Sequence, residues 1–248
     1  MPSPTTRPPE RAPRLLALDT ATERMAVAVV AGANEHVAQE EGGARTSQRL
    51  LPLAFELLQR AGLGARDLDA IAFGRGPGAF TGLRTACSVA QGLALGIGCP
   101  VLAIDSLAVV AEDARLRHGE TVLWVMMDAR MDEAYAAPYT FVDGHWRAGR
   151  APALYTLAAL QAAWQQEPAP AVAGTALAAF GARLSCTGAR RWQDAAGSDR
   201  ASALARLARA AWARGEAVDA AQALPLYLRD KVALTTAERA AARQAAVG

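Results

Sequence analysis

Residues 70–98 read AIAFGRGPGAFTGLRTACSVAQGLALGIG, a strand, a glycine-rich turn and a helix in succession. Residues 70–73 are short and apolar, as a buried strand is. Gly74, Gly76 and Gly78 then alternate around Pro77, and Thr81 stands where a helix N-cap would stand. Glycines permit positive φ and close approach, and a helix N-terminus offers free N–H groups to an anion. A Walker A loop would need a lysine after its last glycine, yet the sole lysine is Lys231. Gly74, Gly76 and Ala79 satisfy G-x-G-x-x-A, but Pro77 and Gly78 fall where that helix should begin. The next strand-end acid, Asp105, also lies about ten residues beyond the usual spacing. Two readings stay open: a tight turn, or an anion or nucleotide cradle made of Asp19, Gly76, Gly78, Thr81 and Arg84.

The helix carries a second pattern. Gly82, Ala86, Ala90, Ala94 and Gly98 recur every fourth residue, a small-residue face that lets another helix come close. Leu83, Val89, Leu93, Leu95 and Ile97 make much of the remainder apolar, and a helix apolar nearly all round needs cover on two sides. Burial in the chain's own core is the plainer account, a partner helix the functional one.

The chain has 248 residues, 52% of them apolar, enough for a large core or two lobes. A net charge of +2 does not by itself mark a nucleic-acid binder. Cys87, Cys99 and Cys186 lack the paired spacing of a disulfide framework or zinc site. No unbroken apolar run suggests a membrane span and no secretory signal is visible, so a cytoplasmic location is expected. Residues 1–13 are proline-rich and predict a disordered tail.

Around the central stretch, residues 15–18, 25–30 and 35–40 read as strands, the first ending at Asp19. Residues 46–61 form a helical stripe of Leu50, Leu51, Ala54, Leu57 and Leu58, with Pro52 delaying or kinking it. Residues 100–105 form another buried strand. The order β-β-β-α-β-α-β makes a mixed sheet of the ribonuclease-H-like type. Residues 107–117 predict a helix, and 121–127 and 133–141 a second strand pair with Asp128 echoing Asp19. This points to an internal repeat. Helices follow over 154–166, 176–184 and 202–214, with a short strand at 171–173, an apolar stretch at 224–228 and an alanine-rich end over 235–248.

Asp19 and Asp128 at strand ends suit a metal or water beside a phosphate, or simply cap the following turns. His36, His118 and His145 lie far apart without ligand spacing, and no nucleophile elbow is present. Arg183, Arg190, Arg191 and Arg200 surround Trp192, a pattern for gripping RNA or for a solvated face.

The segments LALDTATERMAVAVV (16–30), TSQRLLPLAFELLQRAGL (46–63) and AFGRGPGAFTGLRTACSVAQGLALGIGCPVLAIDSL (72–107) resemble the TsaB family, also called YeaZ. DARMDEAYAAPY (128–139) and LPLYLRDKVA (224–233) resemble its later signatures. The resemblance implies an α/β, two-lobed actin-like ATPase fold built from ribonuclease-H-like mixed-sheet units. It would divide into a first lobe over 14–106, a smaller second lobe over 107–223 and a C-terminal segment over 224–248. It implies a non-catalytic subunit pairing with a TsaD-like subunit, acted on by a TsaE-like ATPase. The complex would transfer threonylcarbamoyl to the tRNA adenosine beside the anticodon, with ATP and metal held by the partners and a homodimer using much the same surface. Combined with the helical patterns, it places the interface on Leu50, Ala54, Leu57, Leu58, Gly82, Ala86 and Ala90, burying on the order of 1,600 Å². The alternatives are an independent actin-like ATPase or sugar kinase using Asp19, Asp128 and the glycine turn, or a peptidase.

Overall fold

The computed structural model describes residues 11–193 and 198–229. Most of the expected tail and the alanine-rich end lie outside them. Three antiparallel strands, β1 (Arg14–Asp19), β2 (Arg24–Ala31) and β3 (Asn34–Glu41), open the chain. Helix α1 (Thr46–Arg60) continues unbroken across Pro52. Then come β4 (Ala70–Gly76), α2 (Phe80–Ile97) and β5 (Val101–Asp105), with β4 and β5 parallel to β1 and the sheet ordered β3-β2-β1-β4-β5.

Helix α3 (Ser106–His118) leads to a second sheet of the same design. Antiparallel β6 (Val122–Arg130), β7 (Glu133–Val142) and β8 (His145–Ala148) are followed by β9 (Ala153–Thr156), which pairs with β7. Helix α4 (Leu157–Gln166) and the parallel strand β10 (Ala171–Ala173) come next. Helix α5 (Ala176–Phe180) and the parallel strand β11 (Arg190–Trp192) complete the order β11-β10-β6-β7-β8. The expected repeat is therefore present: β6 stands where β1 stands, and β10 and β11 where β4 and β5 do. The helix expected over 176–184 stops at Phe180, where Gly181 at φ +55 breaks it into a 3₁₀ turn.

The last helix, α6 (Arg200–Ala213), corrects the expected division of the chain. It follows the second sheet in sequence but packs on the first: Ala203, Leu204, Ala208 and Ala211 join Leu15, Ala17, Ala28, Val30, Ala70 and Ala72 in one cluster. The far face of that sheet packs Leu16, Leu18, Val27 and Ile71 against α1 and α2. Leu107, Val110 and Ala114 of α3 cover Leu123, Val125 and Tyr139 of the second sheet. That sheet's outer face packs Trp124, Met126 and Val172 against α4 and α5. The result is five layers: α1/α2, sheet, α3/α6, sheet, α4/α5. The middle layer is shared, so α3 is buried nearly all round, and no single cut at 106/107 or 223/224 separates two lobes. No helix among the described residues is long and apolar enough to cross a membrane.

Candidate functional site

A cleft of about 740 Å³ opens where the β1–β2 turn faces the β6–β7 turn. The start of α2 walls one side, the start of α5 another. Of the two strand-end acids, Asp128 lines it and Asp19 does not. Asp19 is fully buried and its oxygens are spent inside the chain. Oδ1 accepts from the Ala21 N–H at 2.8 Å and from Arg200 Nη2 at 3.1 Å, while Oδ2 accepts from Ser106 Oγ at 2.9 Å. The Arg200 side chain is 2% exposed and also donates to Thr22 Oγ1. A metal ion at Asp19 does not fit residues so engaged. Among the described residues, no group of three or more His, Cys, Asp or Glu is placed to hold one.

The glycine turn is closed in the same way. A Cβ on Gly74 would run into the Asp19 side chain, and one on Gly78 would lie 2.5 Å from Ala21 O and 2.6 Å from Ala21 Cβ. The turn's glycines are what let β4 and α2 press on residues 19–21. The N–H groups turn inward too: Gly76 N donates to Ser106 Oγ at 3.2 Å and Ala79 N to Ala21 O at 2.8 Å. Leu83 N donates to Ala79 O at 2.9 Å, so α2 starts early, with Ala79 at the N-cap. Thr81 is thus an exposed residue of the first helical turn and not the cap. Arg84, expected to face an anion, lies over the Phe80 ring at 3.9 Å and donates to Tyr227 Oη at 3.0 Å. Of the five cradle residues, Gly78 alone lines the cleft.

Glu23, Asp128, Arg130 and Arg229 of the cleft are engaged in ion pairs. Arg130 bonds Glu23 across the two turns and sits 3.3 Å from Asp128, whose N–H donates to Thr175 Oγ1 at 2.9 Å. Arg229 donates to Ala129 O at 2.8 Å and pairs with Glu133 at 2.7 Å. It lies on a segment in which Leu226 N donates to Arg75 O at 2.7 Å and Tyr227 packs against Phe80, ring centroids 5.1 Å apart. Sequence reasoning gave Phe80, Tyr227 and Arg229 no role, although Phe80 lies in the glycine-rich segment 72–107 and Tyr227 and Arg229 in the segment LPLYLRDKVA (224–233). Tyr139 adds a further tie between the lobes, donating to Asp105 Oδ2 at 2.6 Å. Burial pushes both groups up from their ordinary values.

The arginine cluster does not form one surface. Arg190 makes two 2.7 Å bonds to Glu120, whose carboxyl it holds below the usual range. Trp192 donates to Glu120 at 2.8 Å and stacks on His118 at 3.6 Å. Arg183 pairs with Asp132, Arg191 reaches Leu184 O, and Arg200 is in the core. His145 is engaged with Asp143 O and Arg147 on β8.

The expected interface residues are corrected by burial. Leu50, Ala54, Leu57 and Leu58 of α1, and Ala86 and Ala90 of α2, are at most 3% exposed, and all but Ala86 join the cluster packed on the chain's own sheet. Gly82 is pressed on the Thr20 carbonyl. The opposite face of the same helices is open: Leu51 at 36%, Phe55 at 45% and Leu95 at 61% are exposed. Ser88, Gly92 and Gly96 lie exposed beside Leu95, with open space where a Cβ on either glycine would sit.

A solved structure of YeaZ from Pseudomonas aeruginosa superposes on the chain with a TM-score of 0.78 at 38% identity, covering 87% of this chain and all of that one. A second from the same organism, described as similar to peptidase YEAZ, gives 0.79 at 40% identity over 88%. The chain belongs to the TsaB (YeaZ) family. The TsaD family model, described as tRNA N6-adenosine threonylcarbamoyltransferase, matches residues 33–237, which relates TsaB-type chains to TsaD and fits the two-lobed actin-like fold. The tRNA threonylcarbamoyladenosine biosynthesis protein TsaB of Escherichia coli K12 is 40% identical over 126 residues, 51% of this chain and 54% of that protein. The TsaB of Haemophilus influenzae is 45% identical over 123 residues, 49% and 51% respectively. The aligned stretch thus spans about half the length of these curated relatives.

Proposed function

We propose that the chain is a non-catalytic partner subunit in tRNA threonylcarbamoyladenosine formation, docking a TsaD-like subunit through the exposed face of α1 and α2. ATP, metal and the transfer chemistry would then reside on that subunit and a TsaE-like ATPase, with tRNA engaged through the complex. The observation that carries this reading is the apolar, small-residue face of Leu51, Phe55, Ser88, Gly92 and Leu95 on two adjacent helices of a TsaB-family chain. Flat helices bearing glycine and serine admit a partner helix closely, and apolar residues around them supply the desolvation that stable pairing needs. The same face suits a second copy of this chain, competing with the heterodimer. An independent kinase or ATPase is less well supported, since Asp19 and the glycine turn are both engaged within the chain.

Co-expression with the TsaD-like subunit of the same cell, followed by size-exclusion chromatography and a threonylcarbamoyladenosine assay, tests the proposal. A one-to-one pair that modifies tRNA only when this chain is present is the expected result. ATP turnover by the chain alone, with no pairing, would refute it.

A further inference from the structure

Arg200 is oddly placed for an arginine. It is the first residue of α6, where the helix's partial positive charge disfavours a cation. It is also 1% exposed, whereas Arg206 of the same helix is exposed. A buried cation needs a buried anion beside it, and Asp19 supplies one, 3.1 Å away. We propose that the Arg200 guanidinium is a built-in cation for Asp19, filling the place at the end of β1 where a metal ion would otherwise be drawn in. In doing so it pins the chain returning from the second sheet onto the first.

The surrounding bonds fit both halves of the proposal. The guanidinium donates to Asp19 Oδ1 and to Thr22 Oγ1, and Ser106 Oγ donates to the other carboxylate oxygen. Oxygen donors of this kind are also what hard divalent cations take. The backbone leading into α6 is anchored alongside: Gln39 Nε2 donates to Ser198 O at 2.7 Å, Asp199 N to Asp113 Oδ1 at 2.8 Å, and Arg200 N to Gln39 Oε1 at 3.3 Å. The node therefore joins β1, β3, α3 and α6, elements of the first sheet and the shared middle layer. Thr22, which the guanidinium also holds, lines the cleft. Arg200 thus fixes one wall of the cleft with no ligand required.

The test is chemical rescue in the full chain. Arg200→Ala leaves a guanidinium-sized space beside an uncompensated buried carboxylate, and its melting temperature should fall by about 10 °C. Millimolar guanidinium chloride should raise the melting temperature of this variant, sodium chloride at equal ionic strength should not, and the unaltered chain should not respond. In Asp19→Asn/Arg200→Ala the rescue should vanish. Rescue absent from Arg200→Ala, or retained in the double variant, would overturn the proposal. If Arg200→Ala is insoluble, Asp19→Asn/Arg200→Met becomes the decisive chain. Its recovery in folded form supports charge compensation at this node, and failure as complete as that of Arg200→Ala overturns it.

Discussion

Gly82→Ala should destabilise the chain although it replaces the poorest helix former but proline with the best. A Cβ on Gly82 would lie 3.0 Å from the Thr20 carbonyl carbon and closer still to its oxygen, where 3.4 Å is ordinary contact. Neither side can yield cheaply. Thr20 is 2% exposed, between the end of β1 and the turn that packs under α2, and its hydroxyl donates to Gly82 O at 2.6 Å. Overpacking of this kind costs roughly 1–3 kcal/mol, and weakening the hydrogen bond adds about 1 kcal/mol. The gain in helix propensity returns at most about 1 kcal/mol. The net loss is about 2 kcal/mol, a fall of roughly 4–8 °C in melting temperature for a chain of this size. Gly92→Ala on the same helix is the control: its Cβ meets open space, so propensity acts alone and melting should rise by roughly 2–4 °C. Thermal melts followed by far-UV circular dichroism read both. A Gly82→Ala chain melting at or above the unaltered protein would refute the packing argument, as would an equal fall in Gly92→Ala.

Phe55→Glu should leave the monomer's melt within a degree or two, because the ring is exposed, yet weaken pairing with the TsaD-like subunit by about 2 kcal/mol, or roughly thirtyfold. Titration calorimetry on the purified partners checks it, and unchanged affinity would move the interface elsewhere. Glu120→Gln should flatten the acid limb of the stability profile. Arg190 lowers the Glu120 carboxyl in the folded state, so its contribution is complete above the unfolded value near 4.5 and is lost as pH falls through the folded one. Denaturant melts across that range should show the two chains converging towards acid. Met131→Gly should stabilise by about 1 kcal/mol, since Arg130, Met131 and Asp132 all hold positive φ in the β6–β7 turn and Met131 is 60% exposed. A fall in urea midpoint would show that the methionine makes contacts worth more than the strain.

The element order of the first sheet was legible because β1, β2, β4 and β5 are largely apolar runs and its helices carry clear stripes. The short strands β8, β9 and β11 were not, since all have only three or four residues and β8 and β11 carry two charged or polar residues each. The interface face was misassigned for a specific reason. Along α2 small residues recur every fourth position twice over, at Gly82, Ala86, Ala90 and Ala94 and again at Ser88, Gly92 and Gly96. Periodicity finds both rows but cannot say which one meets the sheet. Arg200 was misread for the opposite reason. Arginine beside other arginines and a tryptophan is ordinarily solvated, and its partner Asp19 is 181 residues away, beyond any local pattern.

The layer order also explains why one face is favoured for a partner. In a five-layer stack the middle helices are covered on both sides, as the burial of α3 shows. The outward sides of the two outermost helical layers remain. On the α4/α5 side the exposed residues are small or polar: Ala158, Ala159 and Ala162, then Ala178 and Ala179. On the α1/α2 side they include Leu51, Phe55 and Leu95. The two layers belong to structural repeats of one design, so topology does not account for the difference. Exposed leucine and phenylalanine on adjacent helices carry a standing hydration cost that pairing removes, at roughly 25 cal/mol for each Å² covered. The first repeat is also the one whose strand-end acid is neutralised internally by Arg200. Its outer helices are held from within by Leu50, Ala54, Leu57 and Ala90, packed on the chain's own sheet, and a surface fixed in advance loses little order when a partner docks on it.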